Sequence, residues 1–543
     1  MALSTSGATH ASRVGGNHRS GKSWVEGRRA AMSVPEVPAP DELVISVEAP
    51  EPVRDDLGLE FTIESDVDVA HPLVTIGDSL THGFQNLAVR NTDRSWPALL
   101  AEAMGVTPFR YPVYPGPDGC AGLPLNMEEL LRHADTITKG RPLPAHALRL
   151  IVALYTQARG VQRYWGFGPG RLPVEQAEFN HNLAIYGWDV RDALSKNVGW
   201  CQEQLAEHPA RRSWNPRRLL VQNDGPIAAL RALAGPGDPG TTQLTAARQL
   251  GAEGVGTLVV ALGANNALSS VLRLRLVWSG DNFADLNGKK AYTVWRPAHF
   301  QQEYDQLVTE IEKVGARHVV LVTVPHVTVA PLARGVGDKP EGSRYFARYT
   351  YAWISDDQFD TADPCLTGTQ CRQIDSAIDM YNQVIIEHVR AHRQAGDDWR
   401  VFDLCALLDR LAYRRYLDDP TTRPSWWNRY GPYPLPQALR ELHPRPDTRF
   451  FLSDARGRTQ GGLIALDGVH PTSIGYGIMA SEMLAILARA NVPGAVGATI
   501  DFADLLRRDT LVSNPPASLG GDFRTLGWLQ HRLQLFAALT ELW

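Results

Sequence analysis

Five short apolar runs punctuate the chain, at about 72–77, 181–186, 257–263, 317–325 and 400–405. Each is rich in aliphatic residues, lacks strict alternation, and closes at or beside a glycine, proline or aspartate. Short continuous runs bounded by turn residues read as strands buried on both faces of a parallel sheet. Between them, apolar positions recur near helical spacing over Phe300–Val314 and Ile374–Val389, and further helices are expected over Ser95–Met104 and Gly475–Val492. Pro97 suits a first helical turn, where its missing N–H has no partner to lose. Strands alternating with amphipathic helices predict an α/β fold with helices on both faces of the sheet.

The N-terminal stretch breaks this pattern. Residues 1–34 carry five Arg/Lys and one acid, whereas residues 36–68 carry eleven acids against Arg54 alone. Neither block has sustained periodicity, and prolines at 35, 38, 40, 50 and 52 interrupt it, so residues 1–60 are expected to be mostly disordered. No apolar run of the length of a signal-peptide core follows Arg28-Arg29, so no secretory signal is expected and a cytoplasmic location is favoured. The Arg- and Ser-bearing start is open to two other readings, an organelle transit peptide or translation from Met32. Gly16–Ser23 spells G-x4-G-K-S, but its flanks, ATHASRVG and WVEGRRAAM, offer no buried strand and no suitable helix, so it is not expected to cradle phosphate.

Composition narrows the classes. The 543-residue chain is 44% hydrophobic, with a net charge of −5 and a mean hydropathy of −0.22. It is a globular composition without the basic field of a nucleic-acid binder. No window approaches the about 18 apolar residues of a transmembrane helix. Five cysteines in such a length make no disulfide scaffold, although Cys365 and Cys371 lie close enough in sequence to bridge a short loop.

Chemistry-bearing residues fall where the strands end. The first run stops in Gly77-Asp78-Ser79-Leu80, placing a serine at the carboxyl edge of a sheet, where open α/β folds hold ligands. The second ends at Gly187, whose backbone N–H can face the same edge. The third ends in Gly263-Ala-Asn265-Asn266, an amide side chain that donates two hydrogen bonds. Asp467-Gly-Val-His470 sets an acid three residues before a histidine, a spacing that lets the carboxylate reach Nδ1–H while Nε2 points outward. Each piece taken alone has a plainer reading: a strand-end turn, a turn glycine, a helix cap, a loop histidine. Their order and placement argue for one site.

These segments resemble the four consensus blocks of the SGNH hydrolases, the GDSL esterase/lipase family, over about residues 71–490. Gly77–Leu80 is similar to the nucleophile block, Asn182–Gly187 to the glycine block, Gly263–Asn266 to the G-x-N-D block and Asp467–His470 to the D-x-x-H block. Asn266 departs from the family's aspartate. The resemblance implies a flavodoxin-like three-layer sandwich with a mostly parallel five-stranded sheet. It implies a catalytic domain over 61–492, enlarged by long insertions, with a C-terminal extension at 493–543. It also implies a Ser79–His470–Asp467 triad, an oxyanion hole from Ser79, Gly187 and Asn265, a small-molecule or lipid ester as substrate, and no cofactor or metal. The same triad serves an acyltransferase, and a scaffold that merely retains the fold is a third possibility. G-x-S-x-G, the nucleophile string of α/β-hydrolases, is absent from the chain.

Asp403, at the end of the fifth run, is an alternative acid. His388 and His392 sit one helical turn apart without a completing acid constellation, so a solvated face is expected there rather than a metal. The long, aromatic- and proline-rich stretches 330–372 and 406–466 follow strands and are expected to cap the site or to form their own small core. The last segment, about Leu526–Leu542, reads as an amphipathic helix.

Overall fold

The computed structural model describes residues 36–60, 69–117, 121–138, 147–208, 221, 223–517 and 519. Four of the five predicted runs form one parallel sheet: β1 (His71–Gly77), β2 (Val255–Ala261), β3 (His318–Val322) and β4 (Asp398–Phe402), in the order β1-β2-β3-β4. The register sets Leu73 beside Thr257 and Val259 beside Val320.

The second run corrects the expectation of a five-stranded sheet. Residues 181–185 do lie parallel along the free edge of β1, with Thr75 N–H donating to His181 O (2.8 Å), Leu183 N–H to Thr75 O (2.9 Å) and Ile185 N–H to Gly77 O (3.0 Å). They form an isolated bridge rather than a strand. Asn182 explains the difference: its Oδ1 accepts the Ala184 N–H at 3.1 Å, a local side-chain bond that competes with a regular ladder.

Successive residues of each strand point to opposite faces, and both faces are buried. Val74, Ile76, Leu258, Val260, Leu321 and Val401 pack in one core. Its helices are α3 (Val190–Ser195), α4 (Gln243–Glu253), α6 (Pro297–Glu312) and α7 (Gly368–Ala395). Leu73, Val259, Val320, Val322 and Phe402 pack in the other. There the helices are α2 (Trp96–Met104), α8 (Leu404–Leu411) and α9 (Ser473–Arg489). The remaining helices used below are α1 (Ser79–His82) and α5 (Asn265–Leu272). Among the described residues no helix is long and apolar enough to cross a membrane.

Residues 36–60 are not the unstructured segment that composition suggests. They run as an extended strap, with Leu43 in the first core and Ala49 under Trp426, whose indole N–H donates to Ala49 O at 2.8 Å. At its end the strap covers the outer edge of the sheet, where Val401 N–H donates to Asp55 O at 2.9 Å, as exposed strand edges require. Two of its acids fasten the strap to cations of the body: Glu42 takes Arg296 in a two-point pair, and Asp55, 8% exposed, receives both Arg400 and Arg489 at 2.8 Å. Glu48 adds a third hold, accepting from Ser425 N–H and Oγ.

The insertions are structured. Ala333–Gly335, Arg348–Tyr351 and Leu366–Thr367 form a small antiparallel sheet, Leu452–Asp454 pairs with Gly457–Gln460, and Tyr416, Trp426 and Trp427 build a minor core. In the C-terminal extension, Phe502 and Leu505 pack against α9 at Gly477, where a Cβ would approach Leu505 to 2.5 Å. Gly16–Ser23 and the helix expected at 526–542 lie outside the described residues.

Removing Asp55 leaves Arg400 with Asp398 and Arg489 in contact with solvent, so the loss is that of the hydrogen-bonded fastening itself. Asp55→Ala is expected to lower the unfolding free energy in urea by about 1.5 kcal/mol, whereas Glu60→Ala, at the exposed end of the strap, lowers it by less than about 0.5 kcal/mol.

Candidate active site

β1 delivers the serine. The strand stops at Gly77, where a Cβ would lie 2.4 Å from Thr81 Oγ1 and 3.0 Å from Ala261 O, so only glycine permits the close return of the chain. Asp78 then caps α1, its Oδ1 accepting the Leu80 N–H at 3.0 Å. Ser79 is the first residue of α1, so its N–H has no acceptor within the helix. Its Oγ lies 2.9 Å from His470 Nε2.

The second loop supplies the histidine. Asp467 Oδ2 lies 3.2 Å from His470 Nδ1, while Oδ1 accepts the N–H groups of Val469 and His470, each at 2.9 Å. The carboxylate thus fixes both the loop and the ring, and the Phe84 ring packs on the imidazole at 4.7 Å between centroids. Burial pushes the Asp467 carboxyl up. The facing His470 ring and the two N–H groups more than offset this and hold it below the usual carboxylate range. The alternative acid, Asp403, is elsewhere. It caps α8 through Ala406 N–H and accepts from Val53 N–H and Thr323 Oγ1, a helix-cap and strap anchor rather than a partner of His470.

Gly187 and Asn265 share the wall of one recess. Gly187 has φ +75°, and a Cβ there would meet nothing within 4 Å, so the turn faces open space. Asn265, at the start of α5, donates one Nδ2–H to Trp188 O at 2.9 Å; this fixes the amide and leaves its second N–H. Two recesses meet at α5. Ser79, His470, Ala264 and Leu268 line an apolar one of about 620 Å³, open mouth included, with Val327, Leu408 and Ile464. Gly187, Asn265 and Ser269 line a larger, more polar one of about 1240 Å³, likewise with its mouth, together with Trp188, Trp200 and Trp295.

Several supporting residues escape a sequence reading. Asn86 Oδ1 accepts the Leu466 N–H at 2.9 Å and Leu87 N–H donates to Asp467 Oδ2 at 3.2 Å, so the chain just after α1 grips the acid loop. Both residues sit at positive φ, 56° and 61°, and nothing marks Leu87 for that conformation. Gln243 Nε2 ties Gly77 O to Leu183 O, both at 2.9 Å. His82, fully buried and pushed by burial to about 3, is a neutral ring whose Nδ1 accepts the Tyr186 N–H at 3.1 Å, beside Gly187.

Other sequence candidates have structural roles. His388 pairs with Asp305 at 2.8 Å, and His392 is held by Asp397 and Glu312 while stacking on Trp399. Cys365 and Cys371 are free thiols, not a disulfide, as are Cys201 and Cys405; Cys120 lies outside the described residues. One cluster was not foreseen. His326, Cys405 and Asp409 bring possible ligand atoms within 4.8 Å of one another at the rim of the Ser79 recess. Both ring nitrogens of His326 already face carboxylates, Asp409 at 3.0 Å and Asp379 at 3.0 Å. Burial opposes the charge, but the carboxylates prevail and hold the ring well above the usual histidine range. It is an ion triad rather than a second base.

No protein-family model matches the chain, and no curated protein matches it.

Burial pushes the Asp78 carboxyl up to about 7. The folded protein therefore holds a proton that the unfolded chain releases near pH 4, and stability falls as pH rises from about 4 to 7. Asp78→Asn keeps the cap acceptor without the charge. It is expected to match the wild type at pH 4 and to exceed its stability by about 3 kcal/mol at pH 8, read from denaturant unfolding at both pH values.

Proposed function

We propose that this protein is a serine ester hydrolase of the SGNH type, acting through an acyl-enzyme. One observation carries the reading: Ser79 Oγ, His470 and Asp467 form a continuous hydrogen-bonded line at 2.9 and 3.2 Å, at the carboxyl end of a parallel strand and on the wall of an apolar recess. If residues 181–185 are counted as an edge strand, the order is 2-1-3-4-5, the flavodoxin-like arrangement whose ligand site lies at this edge.

In this reading His470 Nε2 accepts the Ser79 Oγ proton as Oγ attacks the ester carbonyl, and Asp467 holds the tautomer and stabilises the imidazolium. The negative charge on the carbonyl oxygen is met by the Ser79 N–H, the Gly187 N–H and the second Asn265 Nδ2–H. His470 returns the proton to the leaving alcohol, and water activated by the same ring then cleaves the acyl-enzyme. The apolar recess suits the acyl chain, and the polar recess beside Gly187 and Asn265 suits the alcohol. That polar recess also favours a second reading, transfer of the acyl group to an acceptor alcohol, which product analysis with added alcohols separates from hydrolysis.

Aryl esters of graded chain length provide the test. Ser79→Ala is expected to lower kcat by about 10⁶ with binding retained, and Asn265→Ala by about 10²–10³. Near wild-type turnover by the Ser79→Ala protein would end the assignment.

A further inference from the structure

Arg344 is 7% exposed, and none of its three guanidinium nitrogens has a hydrogen-bond partner among the described residues. This is an expensive arrangement. A guanidinium carries five N–H donors, accepts nothing, and cannot shed its charge on burial as a lysine can. An unpaired buried charge of this kind persists where something else supplies the counter-charge.

Asp375, a carboxylate that acts on Arg344, makes no hydrogen bond to it. Asp375 is fully buried, and its oxygens are taken by Arg415 Nη1 (2.7 Å), Thr328 Oγ1 (2.7 Å) and Tyr345 OH (3.0 Å). Arg344 instead lies over the Tyr345 ring, 5.1 Å from its centroid. It lines a recess of about 410 Å³, mouth included, together with Arg414, Arg415 and Thr448. Arg414, stacked over Phe346 at 5.2 Å, brings a second cation to the same walls. The walls themselves hold three guanidinium groups and no carboxylate, so the excess of positive charge is at the wall; Asp375 and Glu48 act on Arg344, and Asp356 and Asp418 on Arg414, from outside the lining.

Its position gives the excess a use. The recess shares Val329, Ala330, Pro331, Ala412 and Thr448 with the apolar recess that holds Ser79 and His470. The two recesses therefore adjoin, and a group seated against Arg344 lies beside the recess that holds Ser79. Resting on the ester-hydrolase reading, we propose that this recess binds an oxyanion, a carboxylate or phosphate, carried on the acyl part of the substrate, with Arg344 as the principal ligand and Arg414 as the second. The substrate class is then an acidic ester rather than a simple aliphatic one, and Arg344 is a specificity-determining residue that takes no part in the bond-breaking steps.

Two measurements on the full chain test this. The first is thermal unfolding with inorganic phosphate against sodium chloride at equal ionic strength, for the wild type and for Arg344→Met, which keeps the apolar stem. Phosphate is expected to raise the wild-type Tm by about 4 °C and to leave the variant's Tm unmoved. The second compares 4-nitrophenyl hemisuccinate with 4-nitrophenyl butyrate. The acidic-to-neutral ratio of kcat/KM is expected to fall by about 10–100-fold in Arg344→Met, the scale of a lost charge-assisted hydrogen bond. Arg344→Lys, which keeps the charge and loses the fork, is expected to give an intermediate ratio, and it serves if the Met variant is unfolded.

An unchanged ratio with an Arg344-dependent phosphate shift overturns the assignment to the substrate and leaves a site for free anion. An Arg344-dependent shift with neither ester cleaved supports the anion site and counts against the hydrolase reading instead. No shift and no change in ratio overturns the inference, as does an Arg344→Met protein that is less stable in chloride but unaltered in both comparisons, since Arg344 would then be a packing residue.

Discussion

The hydrogen bond from Ser79 to His470 joins residues 391 positions apart, and the rest of the structure can be understood as what that contact demands. A serine hydroxyl and an imidazole must meet at 2.9 Å without a covalent link, each on a loop whose own conformational entropy opposes the meeting. The protein removes that freedom by hydrogen-bonding the two segments to each other at points beside this contact. Asn86 and Leu87 bind the acid loop directly, and Tyr476 OH reaches from α9 to Phe84 O at 2.6 Å. The carboxylate of Asp467 is thus a structural hub as well as the orienter of the ring. It accepts from the backbone of both loops, and together with the facing His470 ring these N–H groups hold a buried acid below the usual carboxylate range.

The sheet supplies what these loops cannot. β1 is flanked by β2 on one side and by residues 181–185 on the other, so the turn after it cannot shift without breaking pairing on both edges. The same geometry brings the Tyr186–Gly187 turn beside α1, which carries Ser79, since residues 181–185 run in register with β1 and both chains leave the sheet at the same end. Gln243 bridges the two at that point, and His82 holds the Tyr186 N–H from beneath. Parallel pairing converts a sequence separation of more than a hundred residues into adjacency, and a strand end is where that adjacency meets solvent.

The elements of the sheet and the residues of the triad were legible in the sequence because they obey local rules. Buried parallel strands announce themselves as aliphatic runs, and Gly77, Asp78 and Ser79 each have a local reason to stand where they do. The strap was illegible for the opposite reason. Its order comes from partners hundreds of residues away, Arg400 and Arg489 for Asp55 and Arg296 for Glu42, and no local pattern encodes them. Leu87 at positive φ and the amide of Gln243 belong to the same class, as tertiary contacts chose their conformations. Asn182 is intermediate: an asparagine inside an aliphatic run is a sign that the ladder is not regular, though not of where its amide bonds.

The departure at Asn266 has a physical setting. Its Oδ1 accepts the Val190 N–H at 3.3 Å, a bond an aspartate would make equally well. The wall around it, however, already holds Asp189 and Asp192, neutralised by Lys289 and Lys196 in two cation–carboxylate contacts to Asp192 at 2.8 and 2.9 Å and a third to Asp189. A third carboxylate in this buried group would find no further cation among these partners and would be forced to keep its proton. An amide gives the same acceptor without that cost, and its buried Nδ2, on the wall of the polar recess, has no hydrogen-bond partner among the described residues. Asp189 and Asp192 are thus balanced by Lys289 and Lys196, whereas the walls around Arg344 carry three guanidinium groups and no carboxylate. The recess that holds Ser79 adjoins both, sharing Val329 and Thr448 with the Arg344 recess and meeting the other at α5, so the serine stands next to two recesses of different charge.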